Sequence, residues 1–167
     1  MMFTCKYRDS EALLKAYYYK VKMRRSQAFA WVGIGLALAC LGFFFASWST
    51  WDLIVPVLGG YYAISQLLAP GKELKKEWAQ LQYQYEGNLP EKVCTVDGTG
   101  IRCVWDGQEK AIAFADVLAV YDLKNAIVVA SFDQVILLDK DGFTDGQAEQ
   151  CRKFIWDSCP NCPHYKR

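Results

Sequence analysis

The chain has 167 residues, 53% apolar and 22% charged, which is too hydrophobic for disorder and leaves room for one modest domain with appendages. Nineteen basic residues against eighteen acidic ones leave a net charge of +1, which excludes the strongly basic surface of the usual nucleic-acid binder. One histidine, His164, stands near the end, so no multi-histidine metal centre can form within one chain.

The first segment, residues 1–27, holds seven basic and two acidic residues. Met2 to Arg8 reads as a short strand. Asp9 or Ser10 supplies the side-chain oxygen that caps a helix from near Glu11. Leu13, Leu14, Tyr17, Tyr18 and Val21 recur at helical spacing, which predicts a basic, aromatic helix on or just beneath an inner leaflet. A surface helix carrying a topology signal fits the same residues.

Residues 28–71 are expected to form a transmembrane helical hairpin, with spans at about 28–49 and 53–70. Ala28 to Trp51 are 24 uncharged residues. As a helix that run would reach ~36 Å, against ~30 Å of bilayer hydrocarbon. Leu53 to Gly71 are 19 more, and only Asp52 separates the runs. Pro56 falls in the first turn of the second span, where its missing N–H costs nothing. Lys20, Lys22, Arg24 and Arg25 precede the hairpin and Lys72, Lys75 and Lys76 follow it, so both termini are expected in the cytoplasm. Trp48 and Trp51 suit the outer interface. Gly33-x-x-x-Ala37 and Gly42-x-x-x-Ala46 are spacings that permit close helix contact. A buried hairpin in a soluble core would be equally apolar, but a chain this short has little protein with which to enclose it.

Residues 72–88 form a connecting helix in this reading. Leu74, Trp78, Leu81 and Tyr85 make one apolar stripe, and Glu73 and Glu77 are placed to pair with Lys72, Lys75 and Lys76 on the same helix. Residues 89–158 change to the period of strands. About six short strands are expected between Val93 and Leu138, with Asp106-Gly107 as a hairpin turn. Thr144-x-x-Gln147 matches a capping box before a helix whose apolar face is Ala148, Cys151, Phe154 and Ile155. Residues 159–167 are left as a tail.

The order of elements and three stretches resemble the YcxB-like family of bacterial membrane proteins. The stretches are VDGTGIRCVWDGQEKAIAFADVLAVYDLKNAIVV, VILLDKDGFTDGQAEQCRKFI and the opening FTCKYRDSEALLKA. The turn before Phe143, Asp139-Lys140-Asp141-Gly142, departs from the proline and basic residue usual there. The resemblance implies a cytoplasmic PH-like domain and no enzymatic activity.

Candidate chemistry is sparse. Seven cysteines, an odd number in segments assigned to the cytoplasm, are expected to be reduced thiols, with Cys94, Cys103 and Cys151 acting as small buried hydrophobes. Cys159, Cys162 and His164 are the one candidate metal set, able to fill three corners of a zinc tetrahedron. Gly98-Thr99-Gly100 lacks the Gly-Lys-Ser/Thr of a phosphate loop, and Asp139-Lys140-Asp141-Gly142 lacks the spacing of a calcium loop.

The expectation is therefore an α+β membrane protein: a two-helix transmembrane hairpin plus a small antiparallel meander of PH-like type capped by a C-terminal helix. It is a multi-pass protein of the cell membrane and a non-catalytic interaction module without a cofactor. Its partners are the lipid bilayer, anionic inner-leaflet lipid and a protein or second copy, with no nucleic acid. The alternatives are an accessory subunit or sensor of a membrane complex, and a zinc- or redox-responsive protein acting through Cys159, Cys162 and His164.

Overall fold

The computed structural model describes residues 2–47, 54–143, 147–159 and 162–166. The chain is α+β and forms two compact units, Met1–Tyr17 with Trp78–Arg167, and Tyr18–Glu77.

The first unit is built on two sheets. Strand β1 (Phe3–Arg8) alternates, with Phe3, Cys5 and Tyr7 buried and Lys6 and Arg8 exposed. It pairs antiparallel with β2 (Glu91–Val96), Phe3 opposite Val96 and Arg8 opposite Glu91. Strands β3 (Gly100–Trp105) and β4 (Gln108–Ala113) complete the order β1-β2-β3-β4. Asp106 and Gly107 join β3 to β4 with φ of 44° and 71°, the two left-handed positions of a type I′ turn. At the β2–β3 turn the Asp97 carboxylate accepts from the backbone N–H groups of Thr99 (2.7 Å) and Gly100 (3.2 Å).

The second sheet has the order β7-β6-β5-β8. Strands β5 (Ala119–Asp122), β6 (Ala126–Ala130) and β7 (Val135–Asp139) are antiparallel neighbours, and β8 (His164–Lys166) adds parallel to β5. The single meander expected from sequence is thus two sheets. The supposed tail is a sheet edge, with Tyr165 stacked on Tyr121 at 5.0 Å.

The sheets meet where β1 approaches β7. The Tyr7 hydroxyl donates to the Leu137 carbonyl, and Cys5 bridges to Phe143. Helix α4 (Gln147–Ser158) closes the unit by burying Cys151 and Ile155. Its Phe154 ring lies 5.6 Å from Phe3 and 6.0 Å from Phe114, so one side chain joins the ends of both outer strands of the first sheet. Thr144, the first residue of the expected capping box, lies outside the described residues.

Helix α1 (Glu11–Tyr17) is capped by Ser10, whose hydroxyl oxygen accepts from the Leu13 N–H at 3.1 Å. It packs on β6 and buries Leu13 and Leu14. This explains why Ala126, Ile127, Val128 and Val129 are buried in succession: both faces of β6 are covered. The leucines of this helix are thus used inside the protein. The division of residues 1–27 from 89–158 is corrected. Strand β1 and α1 belong to the β unit, and the long helices are an insertion between two hydrogen-bonded strands.

The second unit contains a π-helical turn (Tyr18–Lys22), α2 (Met23–Ser47) and most of α3 (Ile54–Gln84). Pro56 lies in the first turn of α3, whereas Pro70 lies in its interior. The expected second span and connecting helix are one continuous helix. Among the described residues no single helix is long and apolar enough to cross a membrane, while Glu11–Lys22 and Ser26–Gly42, bent by 41°, reach that test together. Residues 48–53 of the expected hairpin lie outside the described residues.

Candidate functional site

Three features of α2 and α3 define the site. The first is the sorting of side chains by size. Ala30 and Ala63 are buried, Ala63 against Gly33 of the other helix. A Cβ on Gly33 would lie 3.2 Å from the edge of the Tyr62 ring, 3.3 Å from the Gly59 carbonyl oxygen and 3.6 Å from the Ala63 Cβ, and one on Gly59 would lie 3.2 Å from the Ala37 Cβ. The Gly33/Ala37 spacing therefore packs within the hairpin, against a matching Gly59-x-x-x-Ala63 in α3. Gly42 meets nothing within 4 Å. The large apolar residues point the other way. Trp31 (71% exposed), Val32, Leu36, Leu38, Val57, Leu58, Tyr61 (74%), Ile64 and Leu68 all lie on the outside.

The second feature is a polar clamp at the charged end. Lys22 Nζ lies 2.9 Å from Glu73 Oε2 and 3.3 Å from the Tyr18 hydroxyl, and 4.4 Å from the centre of the Tyr18 ring. The Tyr18 hydroxyl donates to the Glu77 carboxylate. Glu73 and Glu77 thus reach across to the chain preceding α2, where the same-helix pairs with Lys72, Lys75 and Lys76 were expected. Spacing along one helix carries no information on such a cross-helix partner.

The third feature is a cleft of about 350 Å³ beside the clamp, lined by Lys22, Ser26 and Phe29 from one segment and Gln66, Pro70 and Glu73 from the other.

The candidate metal residues lie in the other unit. Cys159 is buried at the end of α4 and its thiol contacts the Phe114 carbonyl at 3.8 Å. The Cys162 thiol donates to the Cys159 carbonyl at 3.2 Å. Burial, and then the neighbouring Cys162, push the Cys159 thiol up to about 12, and burial raises Cys162 as well. Both thiols are turned toward backbone carbonyls, of Phe114 and of Cys159. The His164 side chain lies outside the described set, and among the described residues no group of three His, Cys, Asp or Glu is arranged for a metal ion.

Strand register builds a row of cysteines that spacing along the chain does not signal. Cys5 stands opposite Cys94 across β1 and β2, and Cys94 stands opposite Cys103 across β2 and β3. All three are buried. Cys94 and Cys103 are joined as a disulfide, which corrects the expectation that every cysteine is a free thiol. Cys5 stays reduced, its thiol directed at the Asp139 carbonyl at 3.2 Å.

No family model, curated protein or solved structure matches this chain.

Proposed function

We propose that the chain is a non-catalytic, membrane-anchored interaction module, its α2–α3 hairpin in the bilayer and its β unit in the cytoplasm. The observation that carries this reading is the inverted sorting of side chains: glycine and alanine at the helix contact, with the edge of the Tyr62 ring, and most large apolar residues outside. In water such an outer surface costs roughly 25 cal/mol for each exposed apolar Å². In lipid it costs nothing, and close backbone contact between small residues becomes the main source of helix association.

Connectivity supports a hairpin. Strands β1 and β2 are hydrogen-bonded neighbours, so the inserted helices leave and re-enter one folded unit. A bilayer crossed by that insertion is crossed an even number of times. The cations at positions 20, 22, 24, 25, 72, 75 and 76 favour the cytoplasmic side for that unit. The β unit also offers a contact surface: Phe132 is 93% exposed in the β6–β7 turn, and Leu118 is exposed at the same end of the sheet. The resemblance of the sequence to YcxB-like proteins implies the same role.

A second reading keeps the anchor and reverses its orientation. The Cys94–Cys103 disulfide favours it, because disulfides persist in oxidising compartments. Sedimentation of lysed cells followed by an alkaline wash tests the anchor. The chain is expected to stay in the pellet, and its release into the supernatant would refute both orientations.

A further inference from the structure

We propose that the cleft at the charged base of the hairpin holds the headgroup of an aminophospholipid, a phosphate and a primary ammonium carried on the same lipid. This rests on the membrane reading above. The cleft volume of about 350 Å³ is at the small end of the ~300–1,000 Å³ usual for ligand clefts. Its lining runs from Lys22 to Phe29, seven steps along the chain that rise ~10 Å as a helix, enough to reach through a headgroup layer of ~5–8 Å into the hydrocarbon edge. The charged end lies where the basic flank ends, and the apolar end lies at the start of the uncharged run.

The polar lining is zwitterionic. Lys22 and the Ser26 hydroxyl are donors for phosphate oxygens. Glu73 accepts from an ammonium. Pro70 has no N–H, so the helix withholds its usual donor from the carbonyl of Gln66, four residues earlier on the same cleft wall. That carbonyl and the Gln66 side-chain oxygen add acceptors on the side of Glu73. The Lys22–Glu73 pair is about half exposed, so exchanging it for contacts to phosphate and ammonium sacrifices little. A purely anionic headgroup would set its phosphate against Glu73 with nothing to answer that carboxylate. A choline headgroup has no N–H to donate, and Phe29 is the one aromatic ring among the lining residues, too few for an aromatic cage.

The test uses the full chain. It is reconstituted into vesicles of equal parts phosphatidylethanolamine, phosphatidylglycerol and phosphatidylcholine, re-extracted in mild detergent, and its retained lipid is counted by mass spectrometry. Phosphatidylethanolamine is expected to be enriched about fivefold over the vesicle composition. Lys22→Ala is expected to abolish the enrichment, and Glu73→Gln to shift it toward phosphatidylglycerol. Gln66→Leu leaves the ion pair intact and is expected to lower the enrichment, which guards against misfolding in the charge variants. Retention at the bulk ratio, equal enrichment of phosphatidylcholine, or displacement by an equal concentration of water-soluble glycerophosphoethanolamine would overturn the proposal. A chain that does not enter vesicles contradicts the membrane reading itself, whereas entry without enrichment removes only the headgroup assignment.

Discussion

Gly33 and Gly59 face each other across α2 and α3: a Cβ on Gly33 would sit 3.3 Å from the Gly59 carbonyl oxygen, and one on Gly59 3.2 Å from the Gly33 carbonyl oxygen. Neither backbone can retreat without parting the helices. Gly33→Leu is expected to destabilise the hairpin by about 1–3 kcal/mol through overpacking. Gly35→Leu is the matched control, since a Cβ there meets nothing within 4 Å. Thermal midpoints of the two purified variants in detergent check the difference, and equal midpoints would show that the glycine contact does not hold the pair.

Asp9, immediately after β1, is buried, and Lys92 Nζ of β2 lies 2.6 Å from its Oδ2. Oδ1 has no hydrogen-bond partner among the described residues. Lys92→Ala strands this carboxylate and is expected to cost about 3 kcal/mol. Asp9→Ala with Lys92→Ala is expected to cost less than the sum of the single changes. Denaturant midpoints of the three variants complete the cycle, and additive losses would remove the coupling.

Burial pushes the thiols of Cys5 and Cys151 up to about 12 from 9.0, with Asp139 and then Cys151 adding to the effect at Cys5. The unfolded chain loses these protons near pH 9 while the folded chain keeps them. Their stabilising effect is complete below that pH and is lost as pH rises through 9 toward 12. At pH 10 each thiol is expected to cost about 1.4 kcal/mol of stability. The unfolding midpoint should therefore fall between pH 8 and 10, and fall less in Cys151→Ala. An equal slope in that variant would contradict the assignment.

The disulfide and the orientation can be read together. Thiols trapped with iodoacetamide in intact cells and mapped after digestion report the state of Cys94 and Cys103. With the β unit in the cytoplasm both are expected to be reduced on lysis into alkylating denaturant, and to pair on oxidation of the purified chain. A bond already closed in growing cells would support the reversed orientation. Under native labelling, half-buried Cys162 should react before Cys159, Cys5 and Cys151.

The sequence disclosed what is local. Asp106-Gly107 announced its hairpin because both positions need positive φ. Cys151, Phe154 and Ile155 announced the inner face of α4 by spacing alone, and Gly33-x-x-x-Ala37 announced a close helix contact. What remained hidden depends on partners distant in the chain. Nothing near Phe3 or Arg8 indicates that their strand pairs with residues 91–96, on the far side of two long helices. The cysteine row of Cys5, Cys94 and Cys103 exists only once that register is set. Glu73 has Lys76 at helical spacing on its own helix, so its choice of Lys22 is settled by how α3 meets the start of α2. The fully buried β6 was legible as an apolar run, but α1 as its cover was not.

The central claim is that lipid is the solvent for the outward-facing apolar residues of α2 and α3. Nitroxide labels at Val32→Cys, Leu36→Cys, Val57→Cys and Tyr61→Cys, one at a time in the chain reconstituted into vesicles, measure this directly through their collisions with oxygen and with a water-soluble nickel chelate. The account predicts high oxygen and low nickel accessibility at all four positions. Nickel accessibility equal to that of a label at Phe132→Cys, in the exposed β6–β7 turn, would place those faces in water and contradict it.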